Sequence, residues 1–247
     1  MSPVVPQFGG HTDPTEAELR WQAFTSLAYG ASGVLWFCYW TPGGFSTDNA
    51  IITPVLPYGL TLAENKSAVQ MVRGPHYGHA QRINSVLKTY GNFLLGHKST
   101  GIYHGSGESG CCSAGLCGST ATCNATDQNI ELPKESVIAS VNNTGAGPTF
   151  EFLLGQFDLL AEQGSGGAGS GGTADVTSKP RTAVVVHNQD HAHSLLASLT
   201  LRGASKTVEE LDPSTGVLGP AFDDAPHSPG FQLLLTAGNA RVLVIGQ

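Results

Sequence analysis

Charge is scarce in this chain, and no part of it concentrates positive charge. Only 13% of the 247 residues are charged, and the excess of Asp and Glu over Lys and Arg gives a formal net charge of −7. Nucleic-acid-binding domains carry basic patches or stripes, and no cluster of Lys and Arg occurs here. The sequence therefore predicts no nucleic-acid partner and no substrate that is attracted by positive charge.

Long apolar runs are also missing. None reaches the roughly 18 residues that a membrane-spanning helix needs, and the N-terminus lacks the charged and apolar segments of a signal peptide. We therefore expect no membrane partner and no export signal in this chain. Phosphate-binding glycine motifs and the Gly-x-Ser-x-Gly elbow are absent too. We therefore expect the protein to bind no cofactor and no metal.

Cysteine is confined almost entirely to one segment, because four of the five cysteines are Cys111, Cys112, Cys117 and Cys123. A loop held by disulfides is the first interpretation, with three pairings open. Zinc binding and unpaired thiols are the alternatives, although neither a C-x-x-C motif nor a nearby His pair supports zinc. Candidate N-glycosylation sequons begin at Asn65, Asn124 and Asn142. They would fit a secreted protein, so the compartment stays open.

The first part of the chain has an α/β pattern centred on 18–40. Leu19, Ala23 and Leu27 recur every four residues, as on the buried stripe of an amphipathic helix. The apolar run Val34–Trp40 predicts a buried parallel strand, and Val4–Phe8 predicts a strand before the helix. A long loop over 41–74 and a second helix over 77–90 follow.

From residue 99 onward, short β-type runs alternate with turn sequences, which is typical of an antiparallel sandwich. The predicted strands are Thr100–His104, Val137–Val141, Thr149–Leu154, Arg181–His187, Leu195–Leu201, Lys206–Leu211, Phe231–Leu235 and Arg241–Ile245. Two inserts interrupt them, the cysteine-rich 105–133 and the Gly/Ser-rich 164–173.

These stretches resemble the carboxyl-terminal part of a β-galactosidase-like glycoside hydrolase of the (β/α)8-barrel clan. PVVPQFGG with DPTEAELRWQAFTSLAYGASGVLWFCYW is similar to strand seven, helix seven and strand eight of such barrels. YGHAQRINSVLKTYGNFLLGHKSTGIYH is similar to the last helix and the first strand of an appended domain. FEFLLGQFDLL, RTAVVVHNQD, VEELDPSTGVL and LLLTAGNARVLVI resemble its later strands.

The resemblance implies an α/β plus all-β chain in two parts. Residues 1–96 would be the last βα units of an incomplete (β/α)8 barrel, and residues 97–247 a β-sandwich with the two inserts. A complete barrel has eight βα units in about 250 residues. The apolar strands would therefore have unpaired edges, so we expect self-association or association with the missing barrel portion.

The implied activity is hydrolysis of a glycosidic bond, which requires two positioned carboxyl groups. The family's acid/base residue ends strand four, which this chain lacks, and its nucleophile is a Glu on strand seven, where the nearest residue is Gln7. We therefore expect no catalytic residue and no hydrolysis by this chain alone, and whether it counts as an enzyme stays open. A non-catalytic carbohydrate-binding or structural sandwich module and a degenerate gene product are the alternatives.

The substrate-binding candidates are Gln7, Trp36, Trp40 and Asp48, with carbohydrate as the partner. Trp36 and Trp40 share one side of the predicted strand, where an indole could support a sugar ring or simply fill the core. Asp48 would lie on the loop after strand eight, on the mouth side of the barrel.

The other polar groups of note have simpler explanations. Glu16 and Glu18 fall in the first turn of a helix, where capping and the helix dipole account for them. The group of His187, Asp190, His191 and His193 has metal-binding chemistry, but it falls where the resemblance places a β-hairpin turn.

Overall fold

A computed structural model of the protein describes residues 14–36, 51–55, 70–108, 129–143, 149–159, 181–203, 207–221 and 230–246. This part is mostly antiparallel sheet with two helices, which is an all-β-rich class. The predicted strand Val4–Phe8 and the Gly/Ser-rich insert 164–173 lie outside the described residues.

Helix α1 (Glu16–Ala28) begins at a complete capping box. The sequence allowed two overlapping boxes, and the one that forms has Thr15 as the N-cap and Glu18 as the reciprocal acceptor. The predicted apolar stripe is confirmed, since the buried residues of the helix are Leu19, Ala23, Phe24, Leu27 and Ala28.

Helix α2 (Pro75–Leu94) confirms and extends the helix that was predicted over 77–90. Its proline stands in the first turn, where a missing N–H removes no hydrogen bond. Ala80, Ile83, Tyr90 and Leu94 are buried along one side.

Twelve strands occur in the described part of the chain, all paired antiparallel. The hairpin-like pair is β1 (Ile52–Val55) and β2 (Gln70–Arg73). The six-stranded sheet has the order β10-β9-β12-β7-β6-β3 and the four-stranded sheet the order β11-β8-β5-β4. The remaining bounds are β3 (Lys98–Glu108), β4 (Asn129–Glu131), β5 (Ile138–Asn143), β6 (Thr149–Leu159), β7 (Arg181–Asn188), β8 (Leu195–Leu201), β9 (Thr207–Leu211), β10 (Leu218–Pro220), β11 (Gly230–Leu235) and β12 (Ala240–Gly246).

All eight predicted strands after residue 99 coincide with strands of these two sheets, while the three-residue strands β4 and β10 were missed. The two sheets share one hydrophobic core. The six-stranded sheet contributes Tyr103, Phe150, Phe152, Leu154, Val184, Val186, Leu243 and Ile245, and the four-stranded sheet contributes Ile130, Ile138, Val141, Leu195, Ala197, Leu199, Leu233 and Leu235.

The two helices pack on the opposite face of the six-stranded sheet and form a second core with it. The helical members are Phe24, Leu27, Ala28, Tyr90 and Leu94, and the strand members include Leu153, Phe157, Val185, Val242 and Val244. The boundary predicted near residue 97 therefore separates elements that bury a common apolar surface.

Two glycines, one in a strand and one in a turn, allow the backbone of α1 to contact the backbone of the sheet region directly. A Cβ added at Gly155 in β6 would lie 2.9 Å from Cα of Ala28. A Cβ added at Gly238, in the turn between β11 and β12, would lie 3.0 Å from the carbonyl carbon of Ala17. Real Cβ atoms do not occur this close to backbone, so both positions fit α1 only as glycine.

Three predictions about the first half are wrong. The predicted strand over 34–40 is not formed in its described part, residues 34–36, and Leu35 is 94% exposed. The segment 41–74, predicted as loop, contains β1 and β2. The insert predicted over 105–133 includes residues that belong to strands, because β3 continues to Glu108 and Asn129–Glu131 form β4.

Candidate functional site

A cluster of charged and polar side chains surrounds Glu16, at the start of α1. Arg82 of α2 donates from Nε to Oε1 at 3.0 Å and from Nη2 to Oε2 at 2.7 Å. Arg20 Nη1 lies 3.4 Å from Oε1, and His79 Nε2 lies 3.7 Å from Oε2. The hydrogen bond from Arg82 is the main cause that lowers the pKa of Glu16, so this carboxylate suits an ion pair between helices and not proton donation to a leaving group.

Glu18 is part of the capping box at the start of α1. Its Oε2 accepts from the backbone N–H of Thr15 at 2.7 Å, while the Thr15 hydroxyl accepts from the Glu18 N–H at 3.2 Å. The sequence interpretation of Glu16 and Glu18 as helix-terminus residues agrees with these contacts.

His187 of β7 is fully buried between α1 and the sheet. Its Nδ1 lies 3.1 Å from the carbonyl oxygen of Asn239, and its Nε2 lies 3.1 Å from the Thr25 hydroxyl. Burial lowers the pKa of His187 to about 4, so the ring is neutral near pH 7. Because a carbonyl can only accept, Nδ1 carries the proton and Nε2 accepts from Thr25. The side chain thus ties α1 to β7 and to the turn that precedes β12.

Asp190 organises the turn between β7 and β8, and His191 of this turn lies 3.9 Å from Glu18 of α1. Asp190 Oδ1 accepts from the N–H groups of Ala192 at 2.7 Å and His193 at 3.0 Å, and Oδ2 pairs with His193 Nδ1 at 2.8 Å. Burial opposes ionisation of Asp190, but these hydrogen bonds outweigh it and lower the pKa. Among the described residues, no three His, Cys, Asp or Glu side chains group closely enough to hold a metal ion.

Trp36 lies against both helices. Its Nε1 donates to Asn84 Oδ1 of α2 at 2.8 Å, and its ring packs on a small cluster formed by Leu19, Ala23, Ile83 and Leu87. These contacts match the core-filling alternative for Trp36, and its sugar-facing role stays a prediction.

Most of the other predicted site residues lie outside the described part of the chain. Those outside it are Gln7, Trp40, Asp48, Asn65, Asn124, Cys111, Cys112, Cys117 and Cys123. Asn142 is described: it is half-buried in β5, with Asn129 and Ser198 as its cross-strand partners.

A cleft of about 360 Å³ lies at the other end of the helices, where α1 and α2 terminate against β3 and β6. Its lining combines the apolar side chains of Leu27, Leu87, Leu94 and Phe157 with the polar side chains of Ser32, Lys88, Asn92, His97 and Ser99. The sequence interpretation missed this cleft. No local pattern indicates it, because its lining comes from residues that are far apart in the sequence.

No family model matches the chain, and comparisons with curated proteins and with solved structures also give no match. In the described part, neither helix has the length and apolarity required to cross a bilayer.

Proposed function

We propose that this chain is the carboxyl-terminal part of a glycoside hydrolase of the (β/α)8-barrel clan, with an appended β-sandwich domain. In this proposal α1 and α2 are the last two barrel helices, and the two sheets after residue 97 form the sandwich. Their β-rich composition and common core are compatible with that division.

The observation that carries the proposal is the direction of the helices. Glu16, the first residue of α1, meets Arg82 in the first half of α2, and the Phe24 and Tyr90 rings, further toward the two carboxyl-terminal ends, are 6.4 Å apart. The consecutive helices therefore run side by side in the same direction. The chain between them must return from the end of α1 to the start of α2. Such a return is characteristic of βαβ units, whereas helices joined by a short loop run antiparallel.

The path after α1 supports the same proposal. Trp36 contacts residues of both helices, as expected of a chain segment that returns beneath two neighbouring barrel helices. Leu35 next to it is 94% exposed and Val34 is 37% exposed. Further barrel strands would cover these apolar side chains, which is why association with a missing barrel portion belongs to the proposal.

The complete protein would hydrolyse a glycosidic bond with two carboxyl groups, while this chain alone would not. Gln7 stands nearest the family's nucleophile position, and an amide neither attacks as a carboxylate does nor donates a proton. Glu16 and Glu18 are engaged in an ion pair and a capping box.

The alternative is a carbohydrate-binding or structural module built on the sheets alone. One face of the six-stranded sheet is covered by α1 and α2, and Gly155 and Gly238 are fitted to the backbone of α1. An independent two-sheet module would have no use for either feature, so we favour the first proposal.

Two experiments test the proposal. The full-length transcript should encode six further βα units in frame, with a Glu at the end of the fourth strand, and its product should release aryl alcohol from at least one aryl glycoside. The present chain, purified alone, should not. Turnover by the repurified chain that disappears when one of its own carboxylates is mutated would refute the proposal, and so would a transcript without barrel units.

A further inference from the structure

The six-stranded and four-stranded sheets have four outer strands in the described part of the chain, and three of them carry features that oppose pairing with another strand. Strand β10 is three residues long and ends in Pro220, and β4 is three residues long with an exposed Glu131. Strand β3 begins with the exposed Lys98 and has a register shift between Ser99 and Gly101. Short length, proline, charge and bulges are the means by which proteins prevent edge-to-edge association.

The fourth outer strand, β11, has none of these features. Its six residues, GFQLLL, include no proline and no charged residue, and it pairs with β8 at six consecutive positions without a register shift. Among the described strands, β8 is its one partner. Leu233 and Leu235 face the core between the sheets, whereas Leu234 lies on the outer face and is 59% exposed. A strand edge without protection is a template for pairing with another chain.

We propose that β11 is a dimer interface, at which it pairs antiparallel with β11 of a second copy of this chain. The four-stranded sheets of the two copies then form one continuous sheet. A pair centred on Leu234 places the two copies of this residue opposite each other, and Leu233 opposite Leu235 of the second copy. Side chains that lie directly opposite on one face of an antiparallel pair contact each other, so the exposed leucine becomes buried against its own copy.

The surroundings of Leu234 favour a second copy as the occupant. The outward-facing side chains of β8 and β11 are all uncharged; they are Leu196, Ser198, Thr200, Gln232 and Leu234. Two such surfaces meet without like charges opposite each other, which would destabilise the strand pair, although each chain has a net charge of −7. Leu196 is the cross-strand neighbour of Leu234, so the leucine pairs of both copies join in one apolar stripe. A charged peptide would find no counter-charge on this face.

The test is sedimentation velocity on the whole chain at micromolar concentrations. We expect a reversible, concentration-dependent increase from the mass of one chain, 25.6 kDa, to twice that mass. The variant Leu234→Lys places two ammonium groups opposite each other at the centre of the pair, and it should weaken dimerisation at least about tenfold. Because Leu234 is largely exposed in the single chain, the melting temperature of the monomer should stay nearly the same.

The matched control is Leu35→Lys, the same replacement at a leucine that is 94% exposed in the segment after α1. This variant should dimerise as the unmodified chain does. Loss of the dimer in Leu35→Lys but not in Leu234→Lys would assign the interface to the helix side of the molecule and overturn the inference. The barrel proposal would stand in that case, because its expected association involves Leu35 and not β11.

If Leu234→Lys unfolds the protein, Gln232→Lys provides the second variant, because Gln232 is exposed on the same face of β11. It should also weaken dimerisation, since it introduces a charge into an uncharged interface. The inference is overturned if the unmodified chain stays monomeric throughout the micromolar range. It is equally overturned if a folded Leu234→Lys or Gln232→Lys variant dimerises as strongly as the unmodified chain.

Discussion

Replacing Gly155 by alanine should destabilise the protein, although alanine at this position would normally do the opposite. Gly155 has no positive φ, so its backbone conformation is open to any residue. The added methyl group would lie 2.8 Å from the carbonyl carbon of Ala28 and 2.9 Å from its Cα. Those atoms belong to the last turn of α1 and cannot move by a rotamer change, so the helix or the strand must shift.

The size of the effect follows from two opposing contributions. Overpacking in a well-packed interior costs about 1–3 kcal/mol. Glycine-to-alanine replacement at a permissive φ stabilises by about 0.4–1 kcal/mol, because it restricts the unfolded chain. Overpacking therefore prevails if α1 lies on β6. We expect a net loss of about 1–2 kcal/mol, and each kcal/mol lowers the melting temperature by about 2–4 °C at this chain length.

Urea unfolding followed by circular dichroism measures this change in the free energy of unfolding. The matched control is Gly219→Ala, a strand glycine in β10 at which a Cβ would meet no atom within 4 Å; it should be neutral or stabilising. If Gly155→Ala is as stable as the unmodified chain or more stable, α1 does not lie on β6 at this distance and the helix–sheet interface is wrong.

Three further predictions concern single side chains of α1 and its contacts. Burial lowers the pKa of His187 to about 4 against about 6.5 in the unfolded chain. The unfolded state therefore binds more protons between these values, and stability should fall by roughly 3 kcal/mol from pH 6.5 to pH 4. His187→Gln should flatten that pH dependence in urea titrations, and an unchanged slope would contradict it. Thr15→Ala removes the cap hydroxyl and should cost about 1 kcal/mol, with no loss if the capping box is not formed. Arg82→Ala removes a solvent-exposed ion pair with Glu16 and should leave the melting temperature nearly unchanged, because water screens such pairs; a clear drop in the melting temperature would mean that this contact organises the helix pair.

The sequence predicted the elements whose pattern is local. Leu195–Leu201 alternates buried and half-buried residues along β8, and this period of two is readable without knowledge of the neighbouring strands. The capping role of Glu18 was equally local, because Thr15 and Glu18 are three residues apart. Strands β4 and β10 are only three residues long, which is too short for a periodic signal.

The features that the sequence did not predict depend on distant residues. The run that includes Leu35 is apolar, but nothing local shows whether another strand covers it. Gly155 and Gly238 are ordinary turn or strand glycines in the sequence, and their closeness to α1 follows only from the packing of helix on sheet. The neutral state of His187 likewise follows from its burial under α1, and its ring contacts Thr25 and Asn239 are far from it in sequence.

Hydrogen exchange with mass spectrometry tests the central claim, that α1 is an integral layer of the sheet fold, most directly. In a verified monomer at pH 7, the amides of Glu16–Ala28 should exchange nearly as slowly as those of Arg181–Asn188 in β7, because both elements bury side chains in the same core. Rapid exchange throughout Glu16–Ala28, with Arg181–Asn188 still protected, would show that the sheets fold without the helix and would contradict the account.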